Sequence, residues 1–202
     1  MSEQSVKGES VELYINPQAR QRVVCGLRWD PALGKRKLGE VINAQMGKNT
    51  STYDLDLMCL MYNEAGEFVD GVTGKPDETI DESGNVYHSG DDTSGAGDHD
   101  DEQVSVEFKG LPDYIRSIFF VAEIQSAHTF GQVNAPEIRI ADGLSDKDQL
   151  LIPLNGPEGK NRTACIFARL HKRDDTWFLQ HIGKFMDVAD VADWTEELKK
   201  YL

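Results

Sequence analysis

The stretch Gln103-Val104-Ser105-Val106-Glu107-Phe108 alternates polar and apolar residues without a break. Successive side chains of an extended chain point to opposite faces, so Val104, Val106 and Phe108 share one face and Gln103, Ser105 and Glu107 the other. This is the pattern of a half-buried β-strand. Working outward, further short segments rich in β-branched and aromatic residues recur between Gly, Pro, Asn and Asp breaks, at 11–15, 22–29, 54–62, 115–124, 137–141, 149–153, 164–170 and 176–182. Asp174-Asp175 marks the turn of a hairpin between the last two. Short strands, frequent turn signals and no βαβ rhythm predict an all-β chain folded as an antiparallel β-sandwich. Residues 34–50, rich in Gly, Lys and Asn, read as an exposed insertion, and residues 70–89 as a mobile loop. Over 187–202, Val188, Val191, Leu198 and Tyr201 or Leu202 recur near a helical period. Asp187, Asp190 and Asp193 come early and Lys199 and Lys200 late, as the helix dipole prefers. The expected division is a sandwich over 1–186 and an added C-terminal helix over 187–202, packed on the sandwich edge.

The chain of 202 residues can bury one substantial core. Its net charge of −14 is unevenly spread: residues 54–108 hold 16 of the 35 acidic side chains and a single base, Lys75. Clustered Lys and Arg, which nucleic-acid binding needs, are missing from that surface, and an anionic membrane would repel it. No apolar run is long enough for a transmembrane helix, and Met1-Ser2-Glu3-Gln4-Ser5 lacks the basic-then-apolar order of a signal peptide, so a cytoplasmic protein is expected. Cys25, Cys59 and Cys165 are odd in number, far apart and each set in an apolar run, the pattern of reduced core thiols.

The strand is entered from His88-Ser89-Gly90-Asp91-Asp92-Thr93-Ser94-Gly95-Ala96-Gly97-Asp98-His99-Asp100-Asp101-Glu102, which packs six carboxylates into the twelve residues from Asp91 to Glu102. Composition alone favours a solvated acidic face or loop. The interleaved glycines argue otherwise, because positive φ lets a loop fold back and turn carbonyls inward. Crowded carboxylates repel one another unless a cation intervenes. Calcium accepts about six to eight oxygens at roughly 2.3–2.6 Å, whereas magnesium keeps its waters and zinc prefers nitrogen and sulfur. The loop is not an EF-hand: counted from Asp91, positions 3, 5 and 6 are Thr93, Gly95 and Ala96, two poor ligands and a missing glycine. A second pair, Asp54 and Asp56, opens an otherwise apolar strand and shares one face of it. Spacing leaves exposure at a strand end and ligation equally open for this pair.

Together these pieces resemble the TerD domain family, the bacterial tellurite-resistance and general stress proteins. The resemblance is carried in order by Gly26-Leu27-Arg28-Trp29-Asp30-Pro31, Asp54-Leu55-Asp56, the acidic loop, and Phe130-Gly131-Gln132-Val133-Asn134 followed by Glu137-Ile138-Arg139-Ile140. It covers roughly residues 11–183, and the acidic loop is its specific motif. It implies a calcium-binding sandwich in which the Asp-x-Asp strand and the loop hold two Ca²⁺ ions. Carried over position by position, it nominates Asp54, Asp56, Asp91, Asp92, Asp98, Asp100, Asp101 and Glu102, with loop carbonyls completing the shells, and it turns the open reading of Asp54 and Asp56 toward ligation. It further implies a role in tellurite and chemical-stress resistance without catalytic activity, and protein partners in a stress-response assembly. His99 departs from the family, where glycine is common, as does Asp92, where asparagine is common. The 34–50 insertion and the helix over 187–202 lie outside the shared pattern.

Two other readings compete. A metal-dependent hydrolase would use the ion as a Lewis acid, with His88 or His99 as a base beside Asp98 or Asp100. No Gly-x-Ser-x-Gly elbow, phosphate loop or His-Glu-x-x-His accompanies them. A metal-free acidic interaction module would be indifferent to chelators. The residual negative charge, which makes subunits repel, favours a monomer.

Overall fold

The structure, a computed structural model, describes residues 6–31, 53–91 and 99–202. Among these residues the chain forms eleven strands: β1 (Ser10–Glu12), β2 (Arg22–Asp30), β3 (Leu55–Tyr62), β4 (Phe68–Val72), β5 (Val86–His88), β6 (Glu102–Glu107), β7 (Ser117–Ile124), β8 (Asn134–Asp142), β9 (Asp148–Pro153), β10 (Ala164–Arg173) and β11 (Thr176–Met186). They pair antiparallel into a six-stranded sheet, β1-β11-β10-β7-β3-β4, and a five-stranded sheet, β5-β6-β2-β8-β9. This is the expected sandwich, and each expected strand overlaps an observed one. The insertion read at 34–50 lies outside the described residues.

Strand periodicity builds the core. On β3, Leu55, Leu57, Cys59 and Met61 face the opposite sheet, as do Ile118, Phe120, Ala122 and Ile124 on β7; all join Val104 and Val106 of β6 in one buried cluster. A bulge after Ile166, seen against both β7 and β11, turns both Phe167 and Ala168 of β10 inward. Cys25, Cys59 and Cys165 are buried free thiols, as expected. The other face of the six-stranded sheet carries its own apolar cluster, Leu60, Tyr62, Phe119, Val121 and Ile166, closed by Leu198 from the C-terminal segment. It is a second layer, and it matters for the site.

Two expectations are corrected. Residues 187–202 are not one helix: α1 spans only Trp194–Glu197, between 3-10 turns at Val188–Asp190 and Leu198–Tyr201. Asp193 is extended and accepts a hydrogen bond from Thr195 N at 2.8 Å, so it caps a new helix rather than continuing an old one. The segment also lies on the outer face of the six-stranded sheet, not on the sandwich edge. Residues 70–89 are not a loop throughout, since they include the end of β4 and all of β5. The turn between them is held by Asp81, which accepts from Asn85 N at 2.9 Å and Val86 N at 2.8 Å through Oδ1, and from Ser83 N at 3.1 Å through Oδ2. Acidic, glycine-rich composition reads as loop, yet here the acid supplies the acceptors that order the backbone. Among the described residues no helix is long and apolar enough to cross a membrane.

Candidate metal centre

Because Leu55 and Leu57 point into the core, Asp54 and Asp56 necessarily emerge on the outer face of the six-stranded sheet. The third carboxylate comes from the other sheet: the chain leaving β5 passes Gly90, at φ +102°, and delivers Asp91 to the same place. Gly74 makes room for it, since a Cβ at that glycine would lie 3.2 Å from Asp91 Cα. Asp54, Asp56 and Asp91 thus offer carboxylate oxygens that all lie within 4.8 Å of one another. They line a cleft of about 230 Å³ together with Glu123, Gln125 and the turn containing Thr73, Gly74 and Lys75.

The electrostatics record the crowding. Burial, then Glu102 and Asp54, push the Asp56 carboxyl up to about 6. Asp54 is raised by burial and then by Asp91. Glu123, paired in register with Asp56, is raised chiefly by burial, although Trp194 Nε1 donates to it at 3.0 Å. Negative charge is therefore concentrated where it is poorly solvated, and the donors are all hard oxygens, a set that fits a hard divalent cation and suits a soft metal badly.

The remaining nominated residues are placed differently. Asp100 faces Arg139: Nε donates to Oδ1 at 2.9 Å and Nη2 to Oδ2 at 2.8 Å, beneath Gly26, where a Cβ would come within 2.1 Å of Oδ2. Asp101 Oδ2 accepts from Trp29 N at 2.8 Å, extending the attachment of β6 to β2. Glu102, 1% exposed, bridges the two sheets by accepting from Leu57 N at 2.7 Å. His88 Nδ1 accepts from Gly90 N at 3.0 Å, which leaves the proton on Nε2, 3.4 Å from Glu102 Oε2. Asp92 and Asp98 lie outside the described residues, and His99 is exposed. Glu123 and Gln125 were not picked out by the sequence reading. The signal for Glu123 was an acid ending the apolar run from Ile118 to Ala122, but only the β3–β7 register sets it beside Asp56.

Comparison with known proteins places the chain in a family. A family model described as TerD domain matches residues 1–190. The chain is 30% identical to tellurium resistance protein TerX of Serratia marcescens over 219 residues, covering all of both chains. It is 29% identical to general stress protein 16U of Bacillus subtilis, covering 88% of this chain and 87% of that one. The crystal structure of a homologue of telluride resistance protein TerD from Streptomyces coelicolor A3(2) superposes with a TM-score of 0.64 at 18% identity, covering 82% of this chain and 90% of that one, a likeness of fold. The chain belongs to the TerD domain family, whose relatives include tellurium-resistance and general stress proteins.

Proposed function

We propose that this chain is a non-catalytic calcium-binding module of tellurium and chemical-stress resistance, in which Asp54, Asp56 and Asp91 hold Ca²⁺. The observation that carries this reading is the convergence of three carboxylates from two sheets on one cleft, where burial raises the pKa of two of them, Asp54 and Asp56, while Asp91 is exposed. A bound ion would neutralise that charge and tie the start of β3 to the segment following β5, ordering the acidic loop for contact with protein partners. Asp56 and Asp54 are set by the strand, Asp91 by the glycine turn, and Glu123 faces the same cleft while held by Trp194. Among the described residues one such carboxylate cluster forms, which supports one ion there, and the second ion implied by family resemblance stays part of the proposal.

The non-catalytic part of the reading is supported by His88, one of the two candidate bases: its side chain is fully buried against Glu102. Three free buried thiols suit a reducing compartment such as the cytoplasm. The test is calorimetric titration of Ca²⁺ into the chelator-stripped chain, paired with thermal melts in Ca²⁺ and in EDTA. Saturable binding that Asp56→Asn weakens at least tenfold is expected, with stabilisation of about 2.7 kcal/mol at a hundredfold excess over Kd. Coincident melts and no heat of binding would refute it.

A further inference from the structure

At the far end of the same outer face, six residues along β7 and so about 20 Å from Glu123, lies a cleft of about 450 Å³ with the opposite character. Arg116 and Ser117 from the start of β7, Arg169, Lys172 and Arg173 from the end of β10, and Asn63 after β3 line it. The antiparallel register brings them together, with Ser117 opposite both His171 and Tyr62. Four cations gather here on a chain of net charge −14.

Arg169 is a fixed part of the wall. Its Nε and Nη2 donate to Ser117 Oγ at 3.1 and 2.8 Å, Nη1 donates to Tyr201 O at 3.0 Å, and the guanidinium lies 5.6 Å from the Phe119 ring centroid. The buried Ser117 hydroxyl accepts both N–H groups, which leaves its own proton to donate. The ion pairs at the cleft run from Arg116 to Asp113 at 3.8 Å, and from Lys172 to Asp113 at 2.6 Å and Asp175 at 3.9 Å. Both acids are largely exposed. Arg169 and Arg173 enter no ion pair among the described residues, and Glu64 and Asp174, the acids of the cleft wall, are exposed. Burial and the neighbouring Arg173 depress the Arg169 guanidinium. An immobilised, partly desolvated guanidinium that feels a second one, neither of them in an ion pair among the described residues, is the environment that a doubly charged oxyanion relieves.

We propose that this cleft binds a small phosphomonoester, whose phosphate is taken by Arg169, Arg173 and the Ser117 hydroxyl. The volume suits a small ligand, and the acidity of the rest of the chain disfavours a phosphate carried on an anionic membrane. Nothing in this site depends on calcium.

The test is titration of inorganic phosphate and of glycerol 3-phosphate into the full chain in EDTA, followed by calorimetry, with sedimentation of phosphatidic-acid vesicles as a separate arm. Expected is saturable one-to-one binding, weakened at least tenfold by Arg173→Gln and abolished by Arg169→Gln, while Lys147→Gln, away from the cleft, behaves as the parent chain. Arg173 is exposed, so its variant keeps the fold even where Arg169→Gln does not. Unsaturable binding, equal affinity in Arg173→Gln, or capture by vesicles without binding of either free phosphate overturns the proposal. Because the assay contains chelator, its failure leaves the calcium reading untouched, and loss of calcium binding leaves it untouched in turn.

Discussion

Arg139→Met is expected to be among the most damaging single substitutions outside the apolar core. The Arg139 side chain is 12% exposed and that of Asp100 1%, and two of the three guanidinium nitrogens are aimed at that carboxylate. Asp100 raises the Arg139 pKa, a direct sign of their attraction. Removing the arginine leaves Asp100, 1% exposed, with Gln103 Nε2 at 3.2 Å as its remaining side-chain donor among the described residues. Stranding one member of a buried pair costs about 3–5 kcal/mol. For a chain of this size that lowers Tm by about 6–20 °C. Asp100→Asn should cost less, about 1.5–3 kcal/mol, because Arg139 keeps Asp146 at 2.8 Å and Asp148 at 3.0 Å, both more exposed. Urea unfolding followed by circular dichroism measures both, and calcium calorimetry on the same samples completes the comparison. Asp100→Asn is expected to bind calcium like the parent chain, in contrast to Asp56→Asn. The reasoning fails if Asp100→Asn abolishes calcium binding at unchanged stability, or if it destabilises more than Arg139→Met does.

Two further outcomes follow from the packing. His171, 5% exposed, stacks on Phe178 and contacts Ser10 Oγ at 3.1 Å, and burial followed by Arg169 and Arg173 pushes its pKa down from 6.5 to about 4. The unfolded chain therefore takes up a proton that the folded chain refuses. Stability should fall by up to about 3 kcal/mol as pH drops from 6.5 to 4, and His171→Phe should flatten that part of the curve in denaturation measured across pH. Leu198 is fully buried against Leu60, Tyr62 and Phe119, so Leu198→Ala should cost about 2–5 kcal/mol and raise amide exchange over residues 194–201. Unchanged exchange there would mean that the C-terminal segment is not held by its apolar contact.

Strand content was largely legible because half-buried strands write their period into the chain, as Val104, Val106 and Phe108 show. The strands β4 and β5 were missed: each is short and flanked by acids and glycines, β4 being held by its pairing with β3 and β5 entered through a turn that Asp81 orders, by bonds that no local propensity reveals. The C-terminal segment misled in the opposite sense, since its helical spacing was real but Asp193 caps within it.

Local order along the chain was enough to tell that Asp54 and Asp56 share a face, that the acidic segment enters a strand, and that a sandwich holds them, because side-chain parity and turn chemistry act over a few residues. Which carboxylates meet was beyond it. Asp91 joins Asp54 and Asp56, while Asp100, nine residues further on, turns to Arg139 and Glu102 crosses to Leu57 of the other sheet. These partnerships arise from strand register and sheet stacking between segments far apart in the chain. The same holds for the basic cleft, whose arginines look unremarkable in order and become a site only when β7 and β10 lie side by side.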